Sequence, residues 1–185
     1  MNPAELLLDW LPSNEHPERP QMILSTVDSE GRPDARTVLL SEFDAAGFYF
    51  HTDSRSRKVA DIAANPDVAL TFLWPGFTRQ LVVQGRAAVA PADEQSAAYQ
   101  ARSPYLKQLA WLNDGGFAQL PLDERRSRWA EFTSSPQDLD QPDTWIGFVV
   151  RPHRLTFWGS NADTASRRTE FTLVDGEWVE EFLPG

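Results

Sequence analysis

The stretch HTDSRSRKVADIAANP, His51 to Pro66, interleaves Arg55, Arg57 and Lys58 with the hydroxyls of Thr52, Ser54 and Ser56 immediately before a helical pattern. In a 185-residue chain of net charge −10, this is a local concentration of cations against the prevailing sign. Cations at the positive end of a helix dipole are mildly unfavourable, and a free surface would place Asp or Glu there. A bound anion reverses the balance, because it meets unpaired backbone N–H groups, serine hydroxyls and the bidentate fork of an arginine together. Phosphate suits such a place better than carboxylate, having more acceptor oxygens and more charge to neutralise. The alternative reading is a solvated basic face that offsets an acidic surface. The chain contains neither a G-x-x-x-x-G-K-[ST] loop nor a G-x-G-x-x-G turn, so the usual nucleotide folds are not the scaffold.

The elements that must position this cluster are mostly strands. Apolar residues run from Met22 to Val27, DSEGRP supplies turn chemistry, and ARTVLLSEF (35–43) reads as the returning strand of a hairpin. DAAG then turns the chain into GFYFHT, whose aromatic content suits a half-buried pleated surface. Ser56 to Ala64 is helical, with Val59, Ile62 and Ala63 at i, i+3 and i+4 and with Arg57, Lys58 and Asp61 pointing elsewhere. Asn65-Pro66 ends it. DVALTFLW and RQLVVQGRAAVA are further strands, the second long and alternating. Between Pro91 and Phe132 the pattern turns helical, in PADEQSAAYQARSPYLKQLAWL and LDERRSRWAEF, as covers for the sheet. SSPQDLDQPDT is a polar, proline-marked connection, after which WIGFVVRPHRLTFW, RRTEFTLVD and EWVEEFL restore the strand pattern. Asp175-Gly176 joins the last two as a hairpin signal. The expected fold is mainly β, a β-barrel with flanking helices, forming one domain over 1–185 with a helical insertion at about 91–132.

Composition narrows the partners. A net charge of −10 offers no electrostatic footprint for DNA or RNA. The absence of cysteine removes disulfides, thiolate metal sites and thiol nucleophiles, and no metal site is expected. MNPAELLLDWLP lacks the basic region and long apolar core of a secretory signal, and no run approaches the roughly 20 apolar residues of a membrane span. A cytoplasmic protein with no membrane and no nucleic-acid partner is the expectation. Of the three histidines, His16 lies in a polar leader and His153 follows a proline before a strand, positions that suit structural or solvated roles.

ARTVLL at 35–40, HTDSRSRKVADIAANP at 51–66, RQLVVQG at 79–85, RLTFWG at 154–159, Arg168 and the terminal WVEEFLPG occur in one order and spacing. In this they resemble the pyridoxamine 5′-phosphate oxidase family of flavin mononucleotide (FMN) proteins. The resemblance covers nearly the whole chain and implies the FMN-binding split barrel. It makes Arg36, Thr37, Val38 and Leu39 the first strand of the FMN site, with Arg36 aimed at the phosphate. Ser56, Arg57 and Lys58 match the family's S-R-K motif; Thr52 follows its threonine, and His51 stands where tyrosine or phenylalanine is commoner. Gln80 matches the glutamine that reaches the flavin from the partner subunit, and Trp158 and Arg168 match residues of the last sheet segment. Singly, each has a plainer alternative: Arg36 paired with Asp34 or Glu42, Gln80 an ordinary strand residue, Trp158 a core residue. The resemblance also implies a homodimer with FMN at the subunit interface, and seven tryptophans suit a large aromatic interface.

The substrate side departs from the family. Where its first FMN strand ends in a lysine that contacts the substrate phosphate, this chain has Ser41. Of the helix tyrosine, arginine and serine, Tyr99 matches, the arginine is shifted by one to Arg102, and Lys107 takes the serine position. The R-L-H-D-R motif leaves Thr164 and Ser166 in place of its arginine and histidine, and the QSS segment becomes Gly115 to Phe117. The leading expectation is therefore an FMN-dependent oxidoreductase acting on some other small molecule by hydride transfer to flavin. An authentic pyridoxamine or pyridoxine 5′-phosphate oxidase with a rearranged pocket and a non-catalytic FMN-binding dimer are the alternatives.

Overall fold

A computed structural model describes residues 2–134 and 139–185; part of the 134–144 connection falls outside them. Alternating strands place one set of side chains inward, and the chain spends that alternation on one nine-stranded antiparallel sheet. Its strands are β1 (Gln21–Val27), β2 (Pro33–Leu39), β3 (Glu42–Asp44), β4 (Gly47–Asp53), β5 (Asp67–Leu73), β6 (Arg79–Val89), β7 (Trp145–Gly159), β8 (Arg167–Val174) and β9 (Glu177–Pro184). The order β2-β1-β5-β6-β7-β4-β3 curls into a half-barrel, and β8 and β9 extend from β7. Leu24, Leu70, Val83, Leu155 and Phe171, all at most 1% exposed, form a row across β1, β5, β6, β7 and β8 through the core.

The sequence expectation of a single segment at 35–43 is corrected: Leu40 and Ser41 interrupt it between β2 and β3. The Ser41 amide donates to the Tyr49 carbonyl at 2.8 Å, while the buried Leu40 donates to Pro20 at 2.9 Å. The Asp175-Gly176 turn is as expected, with φ of 51° and 85°, the positive values that a type I′ hairpin requires.

β7 runs for 15 residues despite Pro152 because a bulge accommodates it. Gly85 faces Pro152 and Gln84 faces Arg154, leaving His153 unopposed. The extra residue switches which parity faces inward, from Phe148 and Val150 before it to Leu155 and Phe157 after it. It also marks where β7 exchanges β4 for β8 as its neighbour. A Cβ on Gly85 would lie 2.4 Å from the Arg151 carbonyl oxygen, so the strands approach too closely for any other residue.

Among the described residues six α-helices flank the sheet: α1 (Pro3–Trp10), α2 (Arg57–Ala64), α3 (Ala92–Gln100), α4 (Pro104–Leu112), α5 (Gly115–Gln119) and α6 (Leu122–Thr133). Asn2 caps α1, accepting from the Ala4 amide at 3.0 Å, with Pro3 in the first turn. The first helical cover divides into α3 and α4 because Ser103 and Pro104 form a second start, Ser103 Oγ accepting from the Leu106 amide. Among the described residues no helix is long and apolar enough to cross a membrane.

Candidate functional site at the head of α2

Ser56 caps α2 without a side-chain capping bond, and the first turn of the helix contains no acid. Its hydroxyl instead lies 3.4 Å from Thr52 Oγ1, which accepts from the Lys58 ammonium at 3.0 Å. Arg57 Nη1 approaches Asp34 Oδ2 at 3.4 Å, and Arg36 Nη2 donates to the same oxygen at 2.7 Å. Arg36, Arg57 and Lys58 therefore converge. Burial lowers the Lys58 pKa below the usual lysine range, and the Arg36 charge lowers it further. A helix start with free N–H groups and crowded, part-buried cations is arranged for an anion with several acceptor oxygens.

Two expectations about this cluster need correction. Arg36 was expected to aim at a phosphate, but its guanidinium turns into the protein, donating also to Thr26 Oγ1 at 2.7 Å and Asp61 Oδ2 at 3.4 Å. It supplies charge and braces Asp34, while Arg57 and Lys58 are left to present donors. Asp61 was read as pointing away from the apolar face, yet it is 4% exposed and Ala63 is exposed instead. Bonds from Thr26 and Arg36 satisfy the buried carboxylate, which rotates the inward face of the helix toward Lys58. Arg55 belongs to a separate pair, held by Asp53 through Nη2 at 2.6 Å.

The remaining cofactor candidates fall into separate places. Val38 shares the inward face of β2 with Arg36, whereas Thr37 and Leu39 lie on the opposite face. Gln80 pairs with Trp158 and Trp158 with Arg168, one row across β6, β7 and β8. That row is on the outward face, because its neighbours Leu81 and Phe157 are the buried ones. Trp158 stacks on Phe77 at 4.5 Å and donates to Ser166 Oγ at 2.9 Å, so it is not a core residue. Arg36 is on the inward face, paired with Leu24, and within one protomer the two groups do not meet.

His51 leaves β4 on the side opposite Thr52, as adjacent strand residues do, although both line the cavity of about 260 Å³ beneath α4. Its ring stacks on Trp145 at 4.9 Å and 6°, and both nitrogens are committed: Nδ1 to Ser41 Oγ at 2.7 Å and Nε2 to Glu94 Oε2 at 3.2 Å. Gly147 makes room for it, because a Cβ there would lie 2.7 Å from the His51 ring. Gln95 holds α3 above this point, donating to the Ala90 carbonyl and accepting from the Gly147 amide.

Tyr99, expected at a substrate phosphate, is 0% exposed; its hydroxyl accepts from Trp111 at 3.3 Å and its ring packs edge-on against Trp145. That expectation is corrected: the phenol is structural. Lys107 lies over the Tyr99 ring at 5.5 Å. Arg102 lies over Trp145 at 4.3 Å, and burial pushes its pKa down to about 10. Ser41 and Arg102 line one cavity of about 710 Å³, whereas Thr164 and Ser166 line another of about 470 Å³ in the β7–β8 connection. These four residues do not form one substrate pocket. A third cavity, about 260 Å³, joins Thr52, Ser56 and Lys58 to Arg102 and Trp145 beneath α4. Sequence reasoning missed Thr26, Glu94 and Trp145 as functional neighbours and offered Asp34 only in the plainer reading of Arg36, as its ion-pair partner, which the 2.7 Å contact bears out. Asp34 alone had a local signal, two residues before Arg36 on the same strand face.

A curled antiparallel half-barrel with helices at its flanks defines a split-barrel protein. The family profile described as pyridoxamine 5′-phosphate oxidase matches residues 14–135. A pyridoxine/pyridoxamine 5′-phosphate oxidase of Pseudomonas entomophila is 35% identical over 88% of this chain and 76% of its own length. One from Haemophilus influenzae (strain 86-028NP) is 34% identical over 98% and 89%. The chain belongs to the pyridoxamine 5′-phosphate oxidase family. Its fold matches PhzG from Burkholderia lata 383, solved with tetrahydrophenazine-1-carboxylic acid, at TM-score 0.82 and 22% identity over 100% of this chain and 93% of that one. It also matches a pyridoxamine 5′-phosphate oxidase-related, FMN binding protein of Nostoc punctiforme, at TM-score 0.71 and 20% identity over 89% and 87%.

Proposed function

We propose that the chain is an FMN-dependent oxidoreductase acting on a small molecule, with the FMN phosphate held at the head of α2. The observation that carries this reading is the convergence of Arg57 and Lys58, beside Arg36, on an uncapped helix start. A dianion there fits the residues present: it offsets the burial and the Arg36 repulsion that lower the Lys58 pKa and occupies the hydroxyls of Thr52 and Ser56. When bound, FMN accepts a hydride from the substrate and passes electrons on, so the protein's task is to anchor, orient and exclude water.

Gln80, Trp158 and Arg168 form the second half of the proposed cofactor site. Because their row lies on the face opposite Arg36, a ligand touching both sets takes one from each of two copies. A homodimer with FMN at the subunit boundary follows.

Pyridoxamine 5′-phosphate oxidase activity is the second reading, favoured by the names of the 34–35% identical relatives. Against it, Ser41 is neutral, and Glu42 and Glu94 lie beside its partner His51, repelling a second phosphate. Purified protein is expected to be yellow and to lose FMN, not its fold, when Arg57 and Lys58 are both replaced by alanine. Aldehyde formation from pyridoxamine 5′-phosphate at saturating substrate would establish the second reading; its absence leaves the first.

A further inference from the structure

Beneath α3, three side chains from three elements form one hydrogen-bonded line: Ser41 after β2, His51 on β4 and Glu94 on α3. The His51 side chain is 1% exposed and Glu94 is 12% exposed, so the line is largely dry except at Ser41. The carboxylate fixes the tautomer. Nε2–H donates to Glu94, which leaves Nδ1 as an acceptor for the Ser41 O–H. This is the polarity of a serine activated by a general base, with the carboxylate orienting the imidazole and stabilising its protonated form. Trp145 stacked on one face of the ring, the glycine at 147 and the Gln95 clamp hold the imidazole in that orientation.

Ser41 opens into the cavity of about 710 Å³, which Arg19, Arg102, Ala98 and Leu106 also line. Arg19 Nη2 is buried there without a protein hydrogen-bond partner. Among the described residues the Arg102 guanidinium makes one hydrogen bond, a 3.4 Å contact to the Leu106 carbonyl. Arg102, which lines the cavity, has donors to spare for a developing oxyanion, whereas Arg19 Nη2 has no surface open to it. Glu42 lines the same cavity and opposes that charge; burial and the nearby Glu94 raise its pKa.

We propose that Ser41, His51 and Glu94 form a second catalytic site, of the acyl-transfer type, that accepts small carboxylic esters. Ser41 Oγ attacks the ester carbonyl as His51 Nδ1 takes its proton. That proton passes to the departing alkoxide, which leaves as the alcohol. Water, deprotonated by the same nitrogen, then cleaves the acyl-serine to the free acid and restores Ser41. No oxidant or reductant is needed, so the site operates independently of the flavin reading.

The test treats the FMN-containing protein with a fluorophosphonate and with p-nitrophenyl acetate. The expected result is one covalent adduct, mapped to Ser41 by peptide mass spectrometry, and ester hydrolysis that Ser41→Ala abolishes. His51→Gln is expected to slow both reactions by about 100-fold or more. Glu94 is a positioning residue, and Glu94→Gln is expected to lower kcat at least tenfold with KM unchanged. Should His51→Gln fail to fold, Ser41→Ala carries the test, because it removes a single oxygen. No adduct, an adduct on another residue, or hydrolysis unchanged in Ser41→Ala overturns the proposal.

Discussion

Replacing Lys58 by methionine should separate recognition of the FMN phosphate from recognition of the ring. The ammonium is part-buried and bonded to Thr52, so its charge-assisted bond to phosphate is only weakly screened. Such a bond contributes about 1.5–3 kcal/mol, which is roughly 10- to 150-fold in Kd at 1.4 kcal/mol per tenfold. Arg57 is 81% exposed, and water and salt screen it; Arg57→Ala should cost only a few-fold. The order of effect is therefore Lys58 above Arg57, although arginine has the better fork for phosphate. Flavin-fluorescence quenching on apoprotein, titrated in parallel with FMN and with riboflavin, reads this directly. Lys58→Met should weaken FMN by that factor and leave riboflavin unchanged. Equal losses for the two ligands, or a larger loss in Arg57→Ala, would refute placement of the phosphate beside Lys58.

The same lysine should make apoprotein stability depend on pH. Its folded pKa is lowered, so the unfolded chain binds more protons, and stability rises as pH climbs from the folded value toward the ordinary lysine value near 10.4. Thermal melts should show Lys58→Met lacking this gain; identical pH slopes would count against it. Tyr99→Phe should cost under about 1 kcal/mol and spare FMN uptake, since Trp111 still donates to the Asp140 carbonyl at 2.9 Å; urea titration checks the first and flavin titration the second. Gly147→Ala should displace His51, because the new methyl overlaps its ring, and a crystal structure of the variant should show the Ser41 hydrogen bond broken. Light scattering should give twice the monomer mass for the FMN-loaded protein, and a flavin-loaded monomer would remove the two-copy site.

Where alternation was strong, the sheet was legible. In β6, Leu81, Val83, Gly85 and Ala87 are inward and buried, as a period of two dictates. Helix faces were less legible: a buried carboxylate at Asp61 defeated the apolar pattern on α2, because its compensation comes from Thr26, 35 residues away. In the site, the hydroxyls and cations at 52–58 were readable because they are contiguous. The Ser41–His51–Glu94 line was not, since 43 residues separate His51 from Glu94 and nothing local marks either for the other. The face of Gln80 follows from the same alternation, but its row with Trp158 and Arg168 followed only from the strand pairing.

The unopposed residue at His153 gives β7 one position at which it can absorb a change of length that its paired residues cannot. Deleting that one position would restore continuous pairing with the facing kept, Arg154 opposite Gln84 and Phe157 still inside opposite Leu81, whereas deleting a paired residue such as Thr156 would turn Phe157 to water and Trp158 inward. Natural length variation among relatives should consequently collect in the 160–166 connection and, within β7, at position 153 alone.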